Sequence, residues 1–194
     1  MLKRITDFTY KIENQAIKTG IVYKIACEYY RSVIQNEISL ANITEKDHIL
    51  CIGGGICPFS AILFHQLTGA KVTVIDNNAA CIPKAKEAIS RLNISEKVKV
   101  FHQFGDSSEL VFSDYTIVHL AVQVCPMKDV FSTVKKKISP QTKLLVRRSK
   151  KQLSSMYQQV VSDLPTGYPY AVHKSRNIGS TVMYVKQPEV GVIL

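Results

Sequence analysis

The stretch from His48 to Ile62, HILCIGGGICPFSAI, runs from apolar residues into Gly53, Gly54 and Gly55, then through Pro58 into a second apolar run. It reads as a buried strand, a tight turn, and a helix with Pro58 in its first turn. Adjacent glycines are costly to order, so three together imply that something approaches the backbone where side chains would push it away. Two carboxylates follow. Asp76 ends the apolar run KVTVID, and Asp106 follows KVKVFH within FHQFGDSS. The glycines and the two acids thus fall after the first, second and third strand-like runs, in order.

A pyrophosphate-binding loop requires G-x-G-x-x-G, and Pro58 stands where the third glycine would be. Proline there also removes an N–H from the helix end that would hold phosphate. No G-K-[ST] follows the loop either, which disfavours nucleotide triphosphates along with dinucleotides. S-adenosylmethionine carries no phosphate and meets the same pattern. Its amino-acid tail would lie against Gly53, Gly54 and Gly55, its ribose hydroxyls would donate to Asp76, and its adenine amine to Asp106. Asn77 and Phe104 would line the base. Read alone, either aspartate is also an ordinary turn former.

The surrounding elements must bring these residues together. Helical spacing covers Tyr10 to Leu40, with Gly20 a break within it. Strands are predicted at Ile49 to Ile52, in KVTVID, KVKVFH and DYTIVHLAV, and in TKLLVRR. Helices alternate with them: one to about Leu67, one in AACIPKAKEAISRLN capped by Asn78, one opened by Pro126, and one around Gln152 to Val161. YAVHK and STVMYVK close the chain without a helix between them, which predicts an antiparallel hairpin. The pattern is a doubly wound, mostly parallel α/β sheet of Rossmann-like type with an antiparallel C-terminal strand. A reversed final strand is the habit of S-adenosylmethionine-dependent methyltransferases. Residues 1–43 form an N-terminal helical extension, and residues 44–194 the cofactor-binding domain.

The 194 residues carry 25 basic and 15 acidic side chains, a formal charge of +10. Such a surplus suits nucleic acid or an anionic small molecule, but it is dispersed and not interleaved with aromatics, as a solvated surface would be. Cys27, Cys51, Cys57, Cys81 and Cys125 contain no C-x-x-C pair, so reduced thiols and no metal site are expected. No secretory signal and no membrane-spanning run is read, and the expectation is a cytoplasmic protein.

IGGGICPFSAILF resembles the F-I-G-x-G-P-L-P-L-T loop of the nicotianamine synthases. YYRSVIQNEISLA resembles that family's Y-Y-x-L-L-x-N-E segment, LLVRRSKKQLSSMYQQVV its fifth strand and following helix, and STVMYVK its closing strand. Many methyltransferases carry an acid two places before the first glycine, where this chain has Cys51. The resemblance runs from about Tyr29 to Lys186. It implies the class I methyltransferase fold and transfer of the aminocarboxypropyl arm of S-adenosylmethionine instead of its methyl. By that match Tyr30 would orient an attacking amine and Arg147 would pair with a substrate carboxylate. The family also supplies an acid from a longer N-terminal helical domain. Glu13, Glu28 and Glu37 are the candidates here, and the family's glycine after the fifth strand is replaced near Lys150 and Lys151.

Four activities compete on this reading. Aminocarboxypropyl transfer to a small amine or amino acid comes first, and methyl transfer to a small molecule second. A nucleic-acid methyltransferase is less favoured, because HLAVQVCP stands where [DNS]-P-P-[YF] would follow the fourth strand. A non-catalytic S-adenosylmethionine-binding module is the fourth. His119 and His173 read as strand residues ahead of a catalytic base.

Overall fold

The computed structural model describes residues 20–157 and 167–187. Helix α1 (Gly20–Ala41) precedes strand β1 (His48–Ile52), and helix α2 (Phe59–Thr68) leads to β2 (Lys71–Asp76). A 3-10 turn at Ala79–Cys81 runs into α3 (Ile82–Arg91), followed by β3 (Val98–His102) and β4 (Ile117–Leu120). Helix α4 (Met127–Lys137), β5 (Lys143–Ser149), a 3-10 segment (Lys151–Met156), β6 (Tyr170–Val172) and β7 (Ile178–Val185) complete the described chain. The expected helical part before Gly20 lies outside the described residues.

One seven-stranded sheet has the order β3-β2-β1-β4-β5-β7-β6. Strands β1 to β5 are parallel, and β7 runs antiparallel to both β5 and β6. The expected hairpin forms, but its second strand inserts beside β5 and leaves β6 at the edge. Burial explains that choice. Ile178, Val182 and Tyr184 of β7 are buried, whereas Tyr170 and Val172 of β6 are exposed.

The central strands are apolar on both faces because both are covered. Ile49, Cys51, Val72, Val74, Ile117 and Leu145 pack toward α1, α2 and α3 with Ile34, Phe64, Ala85 and Ile89. Leu50, Ile52, Val118, Leu120, Leu144 and Val146 pack toward α4 with Met127, Phe131 and Val134. Strand alternation therefore sends Arg147, two residues past Leu145, to the α1 face.

Two local expectations change. The fourth strand is limited to Ile117–Leu120, since Tyr115 N–H bonds back to Phe112 C=O in a turn. The helix expected from Gln152 is 3-10 at Lys151–Met156, and its remainder, beyond residue 157, lies outside the described residues. Asn78 does act as a cap: its side chain accepts from Ala80 N–H, though it opens the 3-10 turn that feeds α3. No helix among the described residues is long and apolar enough to cross a membrane.

Candidate functional site

The carboxyl ends of β1 to β4 lie side by side, and β1 is flanked by β2 and β4, so the chain reverses its winding at β1. Ligands of open α/β sheets bind in the crevice at such a point. A cavity of about 410 Å³ occupies it, within the range of roughly 300–1,000 Å³ typical of ligand pockets.

Gly53 and Gly55 have φ of +88° and +63°, the left-handed region that glycine adopts without penalty. Gly54 is required for another reason. A Cβ there would sit 2.2 Å from Val74 Cγ1 of the neighbouring strand. The glycine triplet thus combines a turn, which leaves its backbone on the cavity wall, with a close internal packing contact.

Asp76 ties this loop to the next one. Its Oδ2 accepts from Gly55 N–H at 2.8 Å and its Oδ1 from Asn78 N–H at 2.9 Å. Each oxygen keeps a further acceptor position. Asn77 borders the cavity and donates from Nδ2 to Cys125 C=O at 3.2 Å. Asp106 also borders it. Phe104 does not: it is 53% exposed, and it opens a turn, closed by Ser107 N–H, in which Gly105 forms the cavity wall. The cavity wall thus excludes Phe104 but includes the other residues expected to hold the cofactor, Gly53, Gly54, Gly55, Asp76, Asn77 and Asp106, together with Tyr30 and Arg147.

At the buried end the wall consists of Tyr30, Cys51, Ser60, His119 and Arg147. Arg147 donates from Nε to Glu37 Oε1 and from Nη2 to Glu37 Oε2, both at 2.8 Å, and from Nη1 to Ser60 Oγ at 2.8 Å. Thr181 Oγ1 donates to Glu37 Oε1. Its one proton being committed, Thr181 must accept from His173 Nε2, which lies 2.8 Å away. That fixes the His173 tautomer and leaves Nδ1 to accept from Asn36 Nδ2 at 3.3 Å. Burial lowers the His173 pKa, in keeping with a neutral ring.

Burial alone would raise the Glu37 carboxyl, but the Arg147 guanidinium more than offsets this and holds it well below the usual carboxylate range. Burial likewise opposes the charge on Arg147, and Glu37 outweighs it. His119 lies 3.6 Å from Glu37 Oε2, too far for a hydrogen bond. Burial, then the Arg147 charge, depress its pKa, so this contact is not an ion pair but a neutral ring beside a carboxylate. Phe64 meets its ring edge-on with centroids 5.4 Å apart. Burial pushes the Cys51 thiol up to about 12, so it stays protonated.

Tyr30 stacks on Phe59 at 5.7 Å with planes 17° apart and meets Tyr29 edge-on at 5.0 Å. Tyr29 in turn bonds Ser175 Oγ and accepts from Asn177 N–H, which fastens α1 to the segment between β6 and β7. Among the three acids considered, Glu28 is exposed and pairs with Arg31, Glu13 lies outside the described residues, and Glu37 is fully buried. The signal was present. Glu37 falls three residues after Ile34 and four before Ala41, on the apolar stripe of α1, where an acid needs a partner. Ser60 and Thr181 carried no comparable mark, and His119 and His173 read as strand residues, because each becomes part of the site only through tertiary packing.

No family model and no curated protein matches the sequence. Solved structures do match. A glutamate-to-glutamine variant of MtNAS in complex with S-adenosylmethionine has a TM-score of 0.74 at 20% identity, covering 92% of this chain and 71% of that one. MtNAS in complex with MTA and tNA gives 0.73 at 21% identity, over 92% and 69%. An RNA methyltransferase from Salinibacter ruber, with S-adenosyl-L-homocysteine, gives 0.62 at 17% identity, over 81% and 92%. The chain has the class I S-adenosylmethionine-dependent methyltransferase fold, and among these structures the likeness to MtNAS, a nicotianamine synthase-like protein, is the stronger.

Proposed function

We propose that the protein is an S-adenosylmethionine-dependent transferase that moves the aminocarboxypropyl arm onto a small amine or amino acid. One observation carries the reading. One cavity is lined both by Gly53, Gly54 and Gly55 and by Tyr30, Ser60 and the buried His119 and Arg147. Sharing this fold with MtNAS, which has been solved with S-adenosylmethionine, supports it.

The residues present fit that ligand. The Gly53 to Gly55 backbone would meet the amino-acid tail, the remaining acceptor positions of Asp76 the ribose hydroxyls, and Asp106 the adenine amine, with Asn77 beside the base. When bound, the sulfonium supplies an electrophilic carbon whose bond to sulfur breaks as a nucleophile attacks. Alignment is then the protein's main task. Tyr30, held by Phe59, orients the acceptor. Arg147 does not have its Nε edge to offer a substrate carboxylate, since Glu37 occupies it. It retains donors on Nη1 and Nη2 beyond those given to Ser60 and Glu37. Glu37, ionised and twice bonded to Arg147, holds that guanidinium in place instead of moving a proton.

Methyl transfer to a small molecule would use the same cavity, and the thioether product separates the two reactions. The buried acceptor end favours a small acceptor over nucleic acid. Calorimetric titration with S-adenosylmethionine tests the reading. Binding is expected for the wild type and strong weakening for Asp76→Ala, whereas a wild type that does not bind the ligand sinks it.

A further inference from the structure

His119 is 1% exposed, and neither of its ring nitrogens has a hydrogen-bond partner among the described residues, yet the residue borders the cavity. Buried polar groups are nearly always paired, so an unpaired one in the wall of a cavity marks a place where a ligand could complete it. The groups facing it come from four directions: Glu37 and Tyr30 on α1, Cys51 on β1, Arg147 on β5, and His173 after β6. Cys51 is protonated, His173 is neutral, and the charges of Glu37 and Arg147 cancel.

That balance selects the ligand chemistry. A carboxylate set directly against His119 would meet no uncompensated positive charge, so this position suits the amine of the acceptor, and any carboxylate the acceptor carries falls to the free Nη donors of Arg147. A neutral amine, the form that can attack carbon, brings an N–H and needs an acceptor. The Glu37 carboxylate beside Nε2 favours the ring hydrogen on that atom, which leaves the Nδ1 lone pair as acceptor. We infer that His119 receives the acceptor substrate at the buried end of the cavity, bonding the N–H of a small primary or secondary amine and taking its proton on transfer. The inference rests on the transferase reading above. In that step the amine nitrogen bonds the carbon, the carbon–sulfur pair leaves with sulfur, and the proton of the resulting ammonium passes to Nδ1.

The test uses the full chain with 15N-labelled histidine, and propylamine as the probe, in the presence of methylthioadenosine. Propylamine is expected to shift the His119 ring nitrogen signals, and tetramethylammonium, which has no N–H, is expected to leave them in place. Propylamine-dependent consumption of S-adenosylmethionine should fall about 100-fold in His119→Gln, with affinity for S-adenosylmethionine kept and the acid limb of the pH profile lost. Wild-type protein that binds S-adenosylmethionine but whose His119 signals ignore propylamine overturns the inference and leaves the transferase reading standing. Equal responses to propylamine and tetramethylammonium overturn it too. Failure of the wild type to bind S-adenosylmethionine overturns the transferase reading itself. The measurement on the wild type does not depend on the variant folding.

Discussion

Glu37 on α1 and Arg147 on β5 form a two-pronged ion pair, both N···O distances 2.8 Å, with Glu37 fully buried and Arg147 4% exposed. The pair joins the helix that precedes the sheet to the strand that borders the cavity. Buried pairs often contribute little net stability over apolar residues, but loss of one partner strands the other. The pair therefore positions the buried wall of the site more than it holds the fold together.

Glu37→Gln is expected to destabilise the protein by about 3–5 kcal/mol, because it leaves the Arg147 charge uncompensated. The double variant Glu37→Leu with Arg147→Met should recover most of that loss while the site is disabled. Urea unfolding of the three proteins checks this, and a double variant no more stable than Glu37→Gln would contradict it.

Acid should weaken the fold in two stages. The folded pKa of His119 and of His173 lies below the ordinary 6.5, so the unfolded chain binds protons first and stability declines as pH falls below that value. Glu37, whose folded pKa lies below the ordinary 4.5, contributes fully above that value and loses its contribution as pH drops toward the depressed one. Urea midpoints measured from about pH 8 down to pH 5 should decrease, and less steeply in a variant with both histidines replaced by glutamine. A midpoint that rises on acidification would refute the assignment of neutral rings.

Gly54→Ala is expected to cost about 1–3 kcal/mol by overpacking against Val74. Adding Val74→Ala should relieve the clash, so that Gly54→Ala costs less in that background. Thermal unfolding of the double-mutant cycle reads the coupling, and additive effects would mean the contact is not what excludes a side chain.

Asp76→Ala should weaken S-adenosylmethionine binding by at least about tenfold, since it removes one acceptor from both the Gly55 and Asn78 N–H groups. Phe104→Ala should leave the affinity unchanged. If Phe104→Ala weakened binding as much as Asp76→Ala, the base would lie outside the cavity described.

The elements that carry a period or a breaker were legible in the sequence. The apolar runs at Ile49 and Val72, Pro58 and Asn78 announced the strands and helix starts around the glycine loop, and Asp76 was marked by its place after a strand. The glycines were only partly legible: that Val74 fills the space before Gly54 depends on the β1–β2 register, in which Cys51 pairs with Val74. An aromatic beside G-D reads as a base platform, and that the turn would expose the Phe104 ring was not legible in the sequence. Glu37 and Arg147 lie 110 residues apart, and no local pattern joins them. The order of β6 and β7 was likewise decided by which strand could bury Ile178 and Val182.

The most direct measurement is to incubate the purified protein with S-adenosylmethionine alone and identify the thioether by mass spectrometry, beside protein-free and Asp76→Ala controls. Protein-dependent methylthioadenosine together with an aminocarboxypropyl condensation product is expected, both lost in Asp76→Ala. Protein-dependent S-adenosylhomocysteine would contradict aminocarboxypropyl transfer at this site, and methylthioadenosine no faster than in the protein-free control would contradict self-condensation.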